Sequence, residues 1–340
     1  AFATDGFLLG PILEEFKQKK EQLIQSAHDL MVKALGQKEL PVPESPLELK
    51  ITVQGGVGTA SEHNFLLEHY QVDSVGWGSP FLLVPEATSV DNSTRKLLAE
   101  AKENDFYLSH ISPLGVPFNT LRGTTNEIVR EKRIQANKAG SSCPKKFLAL
   151  HKDAEGNGIC TASKKFQDEQ LATLEEKKQT LSLEQYESCK NSITEKSCLC
   201  VGLANASYLE NNIPIKGQDQ GIVVCPGPNL AYFDQEVSLK KMIQHIYGND
   251  TVLRVTNRPN VFIKELKMYL DYFKNECKTV ASESTAAQVK KLQSFKKNML
   301  EGISYYQNLL PKTSYFESIT KELEMQLHAF QQELNFIEVK

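Results

Sequence analysis

The sequence predicts an α/β fold that closes in a run of helices. Three observations predict it. A strand–helix–strand unit with glycines at both strand exits lies between Ile51 and Val84. An irregular stretch after it, 106–250, holds six of the seven cysteines. The last ninety residues turn to Lys, Glu and Gln with Leu, Phe and Tyr at helical spacing. The chain therefore divides into an α/β part over 1–105, a Cys-rich irregular part over 106–250 and a helical extension over 251–340.

The 340 residues are 40% hydrophobic and 24% charged, enough to bury a large core. Thirty-nine basic residues against 42 acidic ones leave a net charge of −3. No basic excess calls for nucleic acid or an acidic membrane surface. No apolar run reaches the roughly 18 residues of a membrane span. Seven cysteines, an odd count, without a signal peptide argue for reduced thiols in a cytoplasmic protein rather than a secreted disulfide framework. The first residues, "AFATDGFLLGP", lack an initiator Met and read as the interior of a longer protein, a small strand ending at Asp5-Gly6 and a turn at Gly10-Pro11.

Ile12, Leu13, Phe16, Leu23, Ile24, Ala27, Leu30 and Met31 then recur every three or four residues. They predict an amphipathic helix to about Leu35, stopped by the prolines of "LPVPESP". Leu49, Ile51 and Val53 alternate as a strand, and Gly55, Gly56 and Gly58 form its exit loop. Thr59 or Ser61 caps a helix carrying Phe65, Leu66 and Leu67. Val72 and Val75 begin a second strand that ends at Gly76-Trp77-Gly78-Ser79. A unit this compact requires a parallel pair joined by a crossover. A polar helix is expected from Ser89 to Asn104, and an irregular "HISPLGVPFNTLRG" after it. Three helices are expected at the end: Phe262–Phe273, Val289–Leu310 and Phe316–Ile337.

The glycines point to chemistry. Phosphate is held by several backbone N–H groups aimed at one spot, and a residue without a side chain lets the backbone approach closely. A helix N-terminus adds partial positive charge. Gly55 and Gly56 before one helix, with Gly78 and Ser79 after the next strand, supply two such clusters. In a (β/α)8 barrel the last two strand–helix loops form the common phosphate site. Two ordinary tight turns would also account for these glycines.

The same residues resemble a known family. "GGVGT" and "VDSVGWGSPFL" are similar to the closing part of the FMN-dependent TIM-type barrels of the nitronate monooxygenase (2-nitropropane dioxygenase) group. There, Gly-Gly ends the penultimate barrel strand and Gly-Thr-x-Phe follows the last. Gly78-Ser79-Pro80-Phe81 has Ser for Thr. "TDGFLLGP" resembles the strand before that family's His loop. "SPLGVPF" at 112–118 resembles an element downstream of the barrel, and "GICTAS" and "KSCLCVGL" resemble a Cys-bearing tail. The resemblance spans 4–235 and leaves out the terminal helices. It implies the C-terminal part of the barrel, with the FMN phosphate held at Gly55, Gly56, Gly78 and Ser79. The strands of the flavin ring pocket would precede residue 1. The family's catalytic His should follow Gly10-Pro11, where this chain has Glu14 and Glu15, so no catalytic residue is assigned. Cys143, Cys160, Cys198 and Cys200 fall where the tail carries cysteines. Four thiolates could hold zinc or an iron–sulfur cluster, and the competing reading is buried apolar thiols. His110, just before "SPLGVPF", is a candidate for the barrel mouth, and Gly227 of "CPGPN" for a further strand exit.

The function expected is an FMN-dependent oxidoreductase acting on a small molecule such as a nitronate. The alternatives are a related enoyl reductase-type flavoenzyme, or a non-catalytic module that binds a phosphorylated ligand and meets a protein partner through its C-terminal helices.

Overall fold

In the computed structural model, residues 4–254, 258–280 and 285–339 are described. In chain order the elements are α1 (Leu9–Gln18), α2 (Lys20–Gly36), β1 (Thr52–Gln54), α3 (Ala60–His69), β2 (Ser74–Gly76) and α4 (Asn92–Glu100). There follow β3 (Phe106–Ser109), β4 (Phe118–Leu121), α5 (Thr125–Gln135), β5 (His151–Lys152), β6 (Gly158–Ile159), α6 (Lys164–Glu176), α7 (Leu183–Thr194), α8 (Leu199–Glu210) and α9 (Leu239–Ile246). The chain closes with α10 (Val261–Val280), α11 (Ala286–Leu309) and α12 (Thr320–Phe336). The fold is mixed α/β and mostly helical, with short strands in two-stranded sheets. None of the helices is long and apolar enough to cross a membrane among the described residues.

The residues group into two compact units, 1–77 with 257–340, and 78–256. This differs from the linear division at 105 and 250. The terminal helices belong with the first 77 residues, because one hydrophobic core joins them.

That core is built from both ends of the chain. Leu8, Leu13, Phe65, Leu66 and Tyr70 pack with Leu266, Leu270, Phe273, Phe295, Met299 and Ile303. Leu266, Leu270 and Phe273 recur at helical spacing on α10 and are fully buried. Each such side chain contributes about 1.5–3 kcal/mol on burial. Phe65 stacks on Tyr315 with ring centroids 4.2 Å apart. The terminal helices thus bury their apolar stripe within their own chain.

β1 and β2 are parallel, with Thr52 opposite Ser74, Val53 opposite Val75 and Gln54 opposite Gly76. Helix α3 joins them, as the short spacing requires, so both strands finish at the same edge. Among the described residues these strands pair only with each other.

Two expectations near the N-terminus change. Ala1–Ala3 of the expected strand lie outside the described residues, and Thr4–Gly6 is a single 3-10 turn. The expected turn at Gly10-Pro11 is the first turn of α1. Proline is tolerated there because first-turn N–H groups have no helical partner. The other early N–H groups are satisfied from outside the helix: Leu9 donates to Glu265 (3.0 Å) and Gly10 to the Tyr306 hydroxyl (3.0 Å). The long amphipathic helix is two helices, and the second buries none of its side chains; Leu30 is 70% exposed.

In the second unit, β3 and β4 form an antiparallel pair across "HISPLGVP", so "FNTL" is a strand rather than irregular chain. The stretch after 135 is also far from irregular. Ser163, Ser182 and Ser238 cap α6, α7 and α9 through their hydroxyls. "GIVV", expected as a strand, is buried at Ile222, Val223 and Val224 but pairs with no strand; the Val223 N–H donates to the Gly202 carbonyl (2.9 Å).

Candidate functional site

The loop after β1 carries Gly55 at φ +96° and Gly56 at φ +78°. Side-chain-bearing residues rarely adopt these values, so the loop needs glycine at both places. A side chain at Gly55 would meet no atom within 4 Å. The Gly55 N–H reaches the Gly76 carbonyl at 3.4 Å, tying the two strand exits together.

Thr59 caps α3, its hydroxyl accepting from the Glu62 N–H (3.2 Å). Glu62 is itself 2% exposed and turns back over the loop. Its carboxylate accepts from the Gly58 N–H (2.9 Å) and the Val261 N–H (2.8 Å) and pairs with Arg258 (2.7 Å). Arg258 also donates to the Gly56 carbonyl (2.9 Å). A buried ion pair therefore clamps the glycine loop to the start of α10. No spacing rule links positions 62 and 258, and these residues were not singled out in the sequence.

Gly78 and Ser79 begin the second unit, so the two glycine pairs belong to different units. Gly78 has φ −118° and ψ −77°, and a side chain there would meet nothing within 4 Å. Neither backbone strain nor packing requires glycine at this position. The Ser79 hydroxyl accepts from the Gly227 N–H (2.7 Å), which fixes the single 3-10 turn Ser79–Leu83 to the "CPGPN" loop.

Glu14 follows Gly10-Pro11 where a catalytic His would be expected. Its carboxylate lies 3.4 Å from the Tyr305 hydroxyl and 3.8 Å from His69. Burial, above all, lowers the pKa of His69, the neighbouring Lys17 lowers it further, and Glu14 opposes both. His63 Nδ1 accepts from the Trp77 indole (3.0 Å), and burial lowers its pKa too. These two imidazoles are held neutral at pH 7. His110 is exposed, and its carbonyl accepts from Lys196 Nζ (2.6 Å).

Cys160 and Cys198 are each 4% exposed, and Cys143 and Cys200 are half-buried. Three chain segments bring them together. Ser141 bridges Ser163 in parallel fashion, its N–H donating to the Ala162 carbonyl (3.1 Å). The amide of Gln167, fully buried, donates to the Thr161 carbonyl (3.3 Å) and the Lys196 carbonyl (3.1 Å). The Cys143 side chain hydrogen-bonds to that of Cys160, and Cys198 lies within electrostatic reach of Cys143 and Cys200. Burial first, then the neighbouring thiols, pushes Cys160 up to about 12 and raises Cys198. Among the described residues no three His, Cys, Asp or Glu side chains are already gathered around one point for a metal.

The chain was also compared with known proteins. No protein-family model matches it, no curated protein matches it, and no solved structure matches it.

Proposed function

We propose that this chain carries the phosphate-binding end of an FMN-dependent oxidoreductase resembling nitronate monooxygenase, the C-terminal part of a (β/α)8 barrel. The observation that carries the reading is the parallel β1–β2 pair with both strands ending in glycine, at Gly55–Gly56 and at Gly76–Gly78. Parallel strands that finish at one edge put their exit loops where barrel enzymes hold phosphate. Gly78 supports the reading further, since its missing side chain serves neither backbone nor packing and leaves room for a ligand. Glu62 takes the Gly58 N–H, which leaves Gly56 as this loop's phosphate donor. By the resemblance, Gly78 and Ser79 would supply the second set of N–H groups.

A bound flavin supplies the redox chemistry, and the chain's own contribution is to hold its phosphate. The substrate class is a small organic anion such as a nitronate. The base that this chemistry requires is not assigned to a residue.

Trp77 is the chain's one tryptophan and adjoins Gly78, so it reports binding by fluorescence. FMN is expected to quench it, and riboflavin, which lacks the phosphate, far less. Gly78→Val is expected to keep the fold, because φ is ordinary and no atom lies near. It should weaken FMN binding by at least about tenfold, the worth of one charge-assisted contact. An affinity for FMN unchanged in Gly78→Val, or no quenching by FMN in the parent chain, would overturn the phosphate assignment.

A further inference from the structure

The terminal helices bury their apolar stripe within the chain, whereas helix α2 leaves one in solvent. Leu23, Ala27, Leu30 and Ala34 are all exposed, Leu23 by 40% and Leu30 by 70%. Their spacings of four, three and four residues are those of a two-stranded coiled-coil seam. Ile24, His28, Met31 and Leu35, the next stripe round the helix, are half-buried. The seam is therefore the face turned away from the rest of the chain. Phe16 before α2 and Leu40 after it are exposed as well, by 40% and 50%. Apolar side chains clustered in water mark an interaction surface.

We propose that α2 is a self-association surface, and that two copies of this chain pair through antiparallel α2 helices about a twofold axis level with His28 and Asp29. The pattern of sizes along the seam argues for this occupant, because leucine and alanine alternate. Laid antiparallel, Leu30 of each copy meets Ala27 of the other, and Leu23 meets Ala34. Every layer then sets a large side chain over a small one, which close packing requires. A parallel pair would put alanine on alanine and leave gaps at those layers. Antiparallel helix dipoles also attract. Charge agrees with the same register. Beside the seam, Lys33 of one copy comes opposite Ser26 of the other, one turn from its Asp29, and the twofold axis repeats that contact. The 17 residues of α2 make a seam about 25 Å long. A face of that length and one helix wide falls short of the roughly 800 Å² per partner of a standard stable interface. The dimer is accordingly weak, and dilute chains are monomeric.

The test is sedimentation velocity of the whole chain over a concentration series up to about 1 mM. A reversible monomer–dimer equilibrium is expected, with nothing larger, since a twofold interface closes on itself. Leu30→Glu keeps the fold, because the side chain is exposed, and brings charge into the seam of both copies. It should weaken association at least about tenfold. Met325→Glu, at an exposed apolar position on α12, should leave association unchanged. Orientation is read separately by disulfide trapping and peptide mass mapping. Ser26→Cys chains mixed with Lys33→Cys chains should crosslink to one another at the introduced thiols. Should Leu30→Glu unfold, these crosslinks decide alone. The proposal is overturned by a parent chain that stays monomeric throughout, or by Leu30→Glu associating as the parent does. Ser26→Cys linking to itself as readily as to Lys33→Cys overturns it too, since that is the mark of a parallel pair. Quenching of Trp77 by FMN should be the same in Leu30→Glu as in the parent, so this proposal and the phosphate reading fail separately.

Discussion

Glu265 is a carboxylic acid in an apolar setting. It sits on α10 and accepts the Leu9 N–H with both oxygens at 3.0 Å. Part of the residue remains at the surface, but its carboxyl faces the start of α1, and burial raises its pKa from 4.5 to about 8, against the pull of the Leu9 hydrogen bond. A raised pKa means that the folded chain binds this proton more tightly than the unfolded one. The stabilisation is fully present below the unfolded value and is lost as pH rises from about 4.5 through about 8. Glu265→Gln keeps an acceptor for Leu9 and removes the proton linkage. The variant should lose part of the pH slope and exceed the parent in stability above pH 8, by on the order of 3 kcal/mol. Urea unfolding of both chains at about pH 5 and about pH 9 measures it. Parallel stability curves for the two would show that Glu265 titrates normally.

At the scale of elements, the Glu62–Arg258 pair couples the loop after β1 to the start of α10. Both side chains are nearly solvent-free, at 2% and 6% exposure. Removing one partner of such a pair strands a charge, at a cost of about 3–5 kcal/mol. Arg258→Met should therefore cost several kcal/mol. Adding Glu62→Gln to it should return part of that loss, because the stranded charge goes while Gly58 and Val261 keep an acceptor. A double-mutant cycle in urea should show coupling of at least about 1 kcal/mol, and strictly additive losses would count against a coupled pair.

The elements also show what could be read from the chain. The strand–helix–strand unit was legible because glycine, a capping Thr and alternating valines all agree with one local geometry. The terminal helices were legible from their apolar spacing. Helices α6, α7 and α9 were not, although Ser163, Ser182 and Ser238 each precede a helix with a capping hydroxyl. The sequences of α6 and α7 are polar, with few buried positions, so there the period that marks a helix is faint while the cap is the clearer signal; α9 is only eight residues long, though its Leu239, Met242, Ile243 and Ile246 do recur at helical spacing. Of the candidate site, the glycines at positive φ were legible, since only backbone geometry explains them. Gln167, which joins the Cys160 and Cys198 segments through two carbonyls, was not. A lone Gln in a polar helix carries no mark of what it will touch.

At the scale of the whole molecule, the first compact unit is discontinuous: residues 1–77 supply one part of its core and 257–340 the other. Leu8, Leu13, Phe65 and Leu66 find their partners on α10 and α11. A cavity opened on α10 should therefore be felt far away along the chain. Leu270 is 1% exposed, and Leu270→Ala should cost about 2–5 kcal/mol. Hydrogen exchange resolved by segment gives the test. Amides of α1, α3 and α10–α12 should exchange faster together, since a core shared between them opens as one cooperative body. Amides of α4–α9, in the other unit, should keep their protection. Helix α2 buries no side chain and should exchange rapidly in both chains. Acceleration confined to α10–α12, with α1 and α3 unmoved, would mean that the N-terminal residues hold their fold without the terminal helices. The core would then be two cores in contact, and the clamp between Glu62 and Arg258 would join separate bodies.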